Sequence, residues 1–402
     1  MAIGPEALSE SSARRPWRTI SAWVVVLITA VVLSSQLLGD ALTTSVTFTN
    51  EEESVQALGL IEEIRGEQVD TEFVVITSEA ATVTDPEYVA YVTEVQAALA
   101  ASAAVTGVGS YLTEDGPVSE SGNTALLPVT VAGTETDEIT ANAELVRETV
   151  AEVEAPDGYK ALVAGPATLA SDFNEIAEQD LATGETIGIA VALVVLVFVF
   201  GSIAAGVVPI ILGVVAIAVA MGLAAIIGQV FDLSFFITNM ITMIGLAVGI
   251  DYSLFIVSRY REERNKGYEK IEAIGRSGAT ATRAVLFSGL TVVLALVGML
   301  ILPNTLFRSL GIGAILVVIV AMAASMTLLP AVLSIMGDKI NALRVRRGSL
   351  ETESRFWDRV TKVVMGRPVV SLVVSTGILL IAATSFFSIN TGLSGVSTLP
   401  EE

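Results

Sequence analysis

The segment GLAVGIDYSLFIVSRYREE, residues 245–263, sets a carboxylate, Asp251, and a phenol, Tyr252, inside an apolar run that extends from about residue 233 to 257. A run of that length crosses a bilayer, since about 20 residues rising about 1.5 Å each span a hydrocarbon core of about 30 Å. An ionised carboxylate at that depth costs about 2.5–3.5 kcal/mol on insertion scales, so an acid placed there is a functional signal by default. Arg259, eight residues on, opens a basic cluster. At about 1.5 Å per residue it places Asp251 about 12 Å inside the membrane boundary.

The same apolar signature recurs on both sides of this segment. Of the 402 residues 52% are hydrophobic, and the mean hydropathy is +0.70, far above that of a soluble domain. About seven transmembrane helices are predicted: one at 17–38, five closely spaced within 186–336 (186–201, 206–230, 233–257, 284–302 and 306–336), and a seventh at 369–389. The first reads as a retained span, because it is longer than a signal-peptide core and no clean cleavage site follows it.

Basic residues orient the set. Of the 22 Lys and Arg, 18 fall at three places on one side: Arg14, Arg15 and Arg18, the cluster from Arg259 to Arg283, and the stretch from Lys339 to Arg367. Loops rich in Lys and Arg stay in the cytoplasm. Residues 1–16 and the basic linker 337–368 are therefore expected inside a plasma membrane that the chain crosses several times. Residues 40–185, with 29 Asp and Glu against Arg65, Arg147 and Lys160, are expected outside. Within them β-like runs (TTSVTFTN, TEFVVITS, TALLPVTVAG, YKALVAGP) alternate with helical runs (EEESVQALGLIEEIRG, DPEYVAYVTEVQAALAAS, TDEITANAELVRETVAEVEA), the pattern of an α/β domain of split βαβ, ferredoxin-like type. Its acidic residues read as a solvated surface.

The chain has no Cys and no His, which removes thiolate and imidazole chemistry. No G-x-x-x-x-G-K-[ST] phosphate loop occurs, and no nucleophile stands with a base. No enzymatic activity, cofactor, metal or nucleic-acid partner is expected, and any work must draw on a membrane gradient, worth about 2.3 kcal/mol per elementary charge at about 100 mV. Asp251 is the group placed to take up and release a proton. Tyr252 can donate a hydrogen bond beside it, Ser288 and Thr291 on the next span can reach across helices toward it, and Gly245 and Gly249, four residues apart, let another helix approach closely. Asp232, before the fourth span, reads as an interfacial residue or helix cap.

In this setting GLAVGIDYSLFIVSRYREE resembles the fourth-helix signature of the MMPL transporters of the resistance-nodulation-division superfamily, and AVLFSGLTVVLALVGML (284–300) resembles their fifth helix. The resemblance implies a porter domain at 40–185, a five-helix unit at 186–336 similar to a sterol-sensing domain, and a proton relay at Asp251 and Tyr252. It also implies proton-driven export of lipids or other hydrophobic cargo, with protons and membrane lipids as partners. That family carries two homologous halves. Residues 14–44 and 366–395 share a basic-Pro start, an apolar span and a polar Gly/Thr exit, as an internal repeat does. Residues 390–402 then read as the start of a second outer domain, and the chain as a first half, to be completed by a missing C-terminal half or a partner chain, with a homo-oligomer as a further reading. Rival readings are a protein-export auxiliary of the SecD/SecF type and a non-transporting sterol or lipid sensor, which needs no acid at Asp251.

Overall fold

A computed structural model describes residues 4–43, 53, 56–57, 60, 71–112, 117–134, 136–343 and 351–389. Two units are distinguished, residues 1–345 and 346–402.

In the first unit, alternation of apolar and polar residues builds a sheet. The order along the chain is β1 (Leu42–Thr43), β2 (Thr71–Ser78), α3 (Pro86–Ala101), β3 (Val105–Val108), β4 (Thr124–Val131), α4 (Thr136–Glu152) and β5 (Tyr159–Ala164), preceded by the helices α1 (Pro5–Arg14) and α2 (Pro16–Leu37). Strands pair antiparallel in the order β3-β4-β2-β5. This is the βαββαβ arrangement expected of a split βαβ domain. Val74 and Ile76 of β2 and Ala125, Leu127 and Val129 of β4 point to one face, where they meet Tyr88, Val92, Val95 and Leu99 of α3. Period 2 on the strands thus meets a 3–4 period on the helix. Tyr88 closes this core: its hydroxyl donates to the Ile76 carbonyl and accepts from the Ala125 N–H at 2.9 Å. Burial pushes its phenol up to about 12, although the Ala125 bond opposes the shift. The strand expected over 43–50 is described only at Thr43, and most of the helix expected over 51–66 lies outside the described residues.

A 35-residue helix, α5 (Pro166–Phe200), leaves this sheet and ends in the apolar stretch Thr186–Phe200. Its start is held by Glu72 of β2, a fully buried carboxylate. Glu72 accepts from the Ala167 N–H at 2.8 Å, the Thr168 N–H at 3.3 Å and the Thr168 hydroxyl at 2.6 Å. A negative charge at a helix N-terminus satisfies otherwise unpaired donors and complements the helix dipole.

The remaining helices of the unit are α6 (Ile203–Ile227), α7 (Phe236–Asn265), α8 (Lys270–Ser277), a π-helical turn at Gly278–Thr282, α9 (Arg283–Val297), α10 (Thr305–Met326) and α11 (Leu328–Met336). A two-residue strand, β6 (Leu233–Ser234), pairs in parallel with β1. The second unit holds α12 (Glu351–Gly366) and α13 (Pro368–Thr384). Among the described residues six helical stretches are long and apolar enough to cross a membrane: 16–37, 203–227, 236–265, 270–301, 305–341 and 368–387. The protein is a polytopic membrane protein. The span expected at 186–201 is the shorter apolar end of α5.

The long run expected at 306–336 breaks at Thr327, whose backbone leaves the helical region (φ −125°, ψ −57°). Pro330 explains the break, because its ring collides with the carbonyl four residues earlier, that of Met326. Ser9 of α1 approaches this carbonyl at 3.5 Å, and Trp23 of α2 donates its indole N–H to the Thr327 hydroxyl at 2.9 Å.

Candidate functional site

Asp251 and Tyr252 are neighbours on α7, and successive helical residues point about 100° apart. Tyr252 turns inward and is 8% exposed. Asp251 lies on the outward face and, among the described residues, makes no hydrogen bond or ion pair. The acid is thus not enclosed by the helices of its own unit.

Behind it, the Tyr252 hydroxyl reaches α9. It ends 3.0 Å from the point where a β-carbon on Gly289 would stand, and the Met322 thioether of α10 fills the rest of that space. Gly289 therefore makes the recess that receives the phenol. Ser288 neighbours the Tyr252 hydroxyl, yet that hydroxyl completes no hydrogen bond and stays buried and unpaired. A donor in that state costs about 1–3 kcal/mol and is available to a new partner.

Among the described residues, neither Ser288 nor Thr291 is hydrogen-bonded to Asp251. Both are exposed, and Thr291 donates to the Phe287 carbonyl of its own helix at 2.9 Å, as Thr in membrane helices commonly does. The cause lies in the packing: α10 lies against both α7 and α9, so these two helices meet at the Tyr252 recess rather than at Asp251. Asp232 is exposed and does not cap α7, whose N-cap position is Phe235.

The two glycines of α7 set its distance from its neighbours. A β-carbon on Gly249 would stand 2.6 Å from the Gly213 Cα of α6, and one on Gly245 would stand 2.5 Å from Ile217 Cγ1 and 2.7 Å from Val317 Cγ2. Ser253, one turn beyond Gly249, donates to the Gly249 carbonyl at 2.6 Å. At the basic end of α7, Arg264 pairs with Asp338 at 2.6 Å, and the buried Glu263 pairs with Arg259 at 2.8 Å and Lys266 at 3.0 Å. The helix carrying Asp251 is fixed at both levels. Among the described residues no group of three or more Asp or Glu could hold a metal ion.

The sequence profile of the MMPL family matches residues 47–371, a span that takes in the sheet domain, α7 and the Tyr252 recess. The chain belongs to the MMPL family. This MMPL chain is 31% identical over 402 residues to the membrane protein SCO6666 of Streptomyces coelicolor, covering 98% of the chain and 55% of that protein. It is 38% identical over 239 residues to MmpL11 of Mycolicibacterium smegmatis, named an exporter of mycolic acid-containing lipids, covering 58% of the chain and 25% of that protein. The MmpL11 of Mycobacterium tuberculosis, 37% identical over 225 residues (55% of the chain, 23% of that protein), is named for heme uptake. MmpL3 of Mycolicibacterium smegmatis, named a trehalose monomycolate exporter, is 32% identical over 271 residues, or 60% of the chain and 26% of that protein. The chain thus spans between about a quarter and about half the length of these relatives.

Proposed function

We propose that this MMPL chain serves a proton-motive-force-driven exporter of lipids or other hydrophobic compounds, with Asp251 and Tyr252 as its proton relay. The observation that carries the reading is an acid at membrane depth on α7 beside a buried, unpaired phenol. The names of the mycobacterial relatives support a hydrophobic cargo. The heme-uptake name of one MmpL11 keeps that character but reverses the direction, so direction is a point for experiment.

In this reading residues 40–185 are the extracytoplasmic porter domain, 186–336 the five-helix membrane unit and 337–368 a cytoplasmic linker. The carboxylate of Asp251 takes a proton from the outer side, loses its charge, and returns the proton to the cytoplasmic side in a second conformation, while Tyr252 donates a hydrogen bond to the charged form. Each proton crossing about 100 mV releases about 2.3 kcal/mol for moving cargo. The outward aspect of Asp251 suits a relay completed by a second protein surface.

The test is proton flux into vesicles carrying the transporter and a trapped pH-sensitive dye. Asp251→Asn is expected to abolish cargo-dependent proton movement while the protein inserts normally. Undiminished transport by that variant overturns the relay.

A further inference from the structure

The helix α1 lies across two irregular joints of the membrane unit, packed against α8, the π-helical turn, α9, α10 and α11. The first joint is the π-helical turn, which leads into α9. A β-carbon on Gly278 would stand 3.1 Å from the Glu6 Cα and 3.1 Å from the Ser9 Cβ, so α1 rests directly on the backbone of the turn. The second joint is the break between α10 and α11. There Ser9 reaches the Met326 carbonyl at 3.5 Å, and Ser334 of α11 donates to the Ala13 carbonyl at 2.7 Å. The helices that meet these joints also supply the walls of the Tyr252 recess, through Gly289 on α9 and Met322 on α10. π-helical turns and proline breaks are the points at which a helix bends most readily. A body seated on both therefore holds the two walls of the recess in place.

The seat is shallow. The residues that α1 buries are Ser9, Ser12 and Ala13, and side chains this small contribute little apolar burial. A segment held by so few apolar contacts belongs to the low end of local stability. The helix is also hinged: Arg15 leaves the helical region (φ −127°, ψ 56°), and Pro16 starts α2 directly behind it. The span does not depend on the seat, since Trp23 of α2 is bonded independently to Thr327. From this combination, a weakly seated helix on a one-residue hinge across both joints, we infer that α1 is a strap that fixes α9 and α10 around Tyr252 while seated and lifts when the membrane unit changes conformation. The link to proton movement rests on the relay reading; the lifting of α1 does not.

The chain has no cysteine, so introduced thiols are the only ones present. Ser9→Cys with Gly278→Cys places two of them across the seat. The 3.1 Å between the positions of their β-carbons lies a few tenths below the about 3.5–4.5 Å of a disulfide. In vesicles carrying the transporter, oxidation of this pair is expected to stop proton flux, and reduction to restore it. Equal flux in the oxidised and reduced forms means that α1 stays seated throughout, and overturns the strap. Asp251→Asn is run beside it: undiminished flux in that variant overturns the relay and leaves the disulfide comparison standing. Should the double variant fail to fold, Ser9→Cys alone decides the point by reaction with a water-soluble maleimide in nanodiscs, with Ala7→Cys, on the exposed side of α1, as the reference. Complete labelling at Ser9→Cys with unchanged helix content supports lifting, because the seat buries that side chain. No labelling there while Ala7→Cys reacts fully overturns it.

Discussion

At Gly249 and Gly213 the backbones of α7 and α6 touch: a β-carbon on the first would stand 2.6 Å from the Cα of the second. Backbone, unlike the end of a side chain, cannot swing aside. Gly249→Val is expected to force the helices apart and lower stability by about 1–3 kcal/mol, seen as earlier thermal unfolding in detergent. Because Asp251 is two residues away, proton flux should fall further than the loss of folded protein explains. A variant with full stability and full flux would show that the contact is dispensable.

Gly289→Ala tests the recess. Its new methyl group would meet both the Met322 thioether and the Tyr252 hydroxyl. The methionine is flexible and can move, so folding should change by less than about 1.5 kcal/mol. The phenol, at 3.0 Å from the new methyl group, is crowded in its recess beside Asp251. The expected result is a near-normal melting profile with an altered pH dependence of transport.

Glu72 gives a test in the sheet domain. Glu72→Ala leaves the Ala167 and Thr168 N–H groups unpaired, at about 1–3 kcal/mol for each buried donor. Glu72→Gln keeps an acceptor oxygen but loses the charge facing the helix dipole. Limited proteolysis should therefore cut the sheet domain soonest in the alanine variant, next in the glutamine variant and last in the parent. Identical digestion rates would remove the carboxylate from any structural role.

Tyr88 gives a pH test of the sheet domain. Its phenol ionises near 10 when unfolded and only at about 12 in the fold, because burial disfavours the phenolate. A raised folded value means that this stability is intact below about 10 and is lost as pH climbs from about 10 through about 12. Phenolate absorbance should appear together with loss of β-sheet signal over that window. Tyr88→Phe should flatten this alkaline fall and lower stability at neutral pH, since the Ile76 carbonyl and Ala125 N–H lose their partner. Ionisation of Tyr88, read as the absorbance difference between the parent and Tyr88→Phe because the chain has seven tyrosines, well before any loss of sheet signal would contradict the assignment.

The membrane helices were legible because about 20 consecutive apolar residues have few other uses, and β2, β4 and β5 because their alternation has period 2. Other features depended on packing. The strand β3 is four residues long, VTGV, with no apolar alternation, and pairs only because β4 offers an edge. In α5 the first half is acidic and polar and the second half apolar, so pattern reading sets the border between the outer domain and the second span at residue 186, inside one helix. Asp251 and Tyr252 could be picked out as a pair from their neighbours in sequence. Which of them turns inward depends on how α7 sits against α6 and α10. Gly289 went unnoticed between Ser288 and Thr291, since a lone glycine in an apolar helix reads as ordinary packing; its value shows only when the Tyr252 hydroxyl is seen against it.

The uninterrupted course of α5 carries a mechanical consequence. Its 35 residues extend about 52 Å at 1.5 Å each, with one end pinned to the sheet by Glu72 and the other in the apolar layer. A pivot of about 5° at the pinned end sweeps the far end through about 4–5 Å over that length, close to one helical turn. A lever arm of this kind turns a small rocking of the sheet into a sideways displacement of several ångströms at the apolar end.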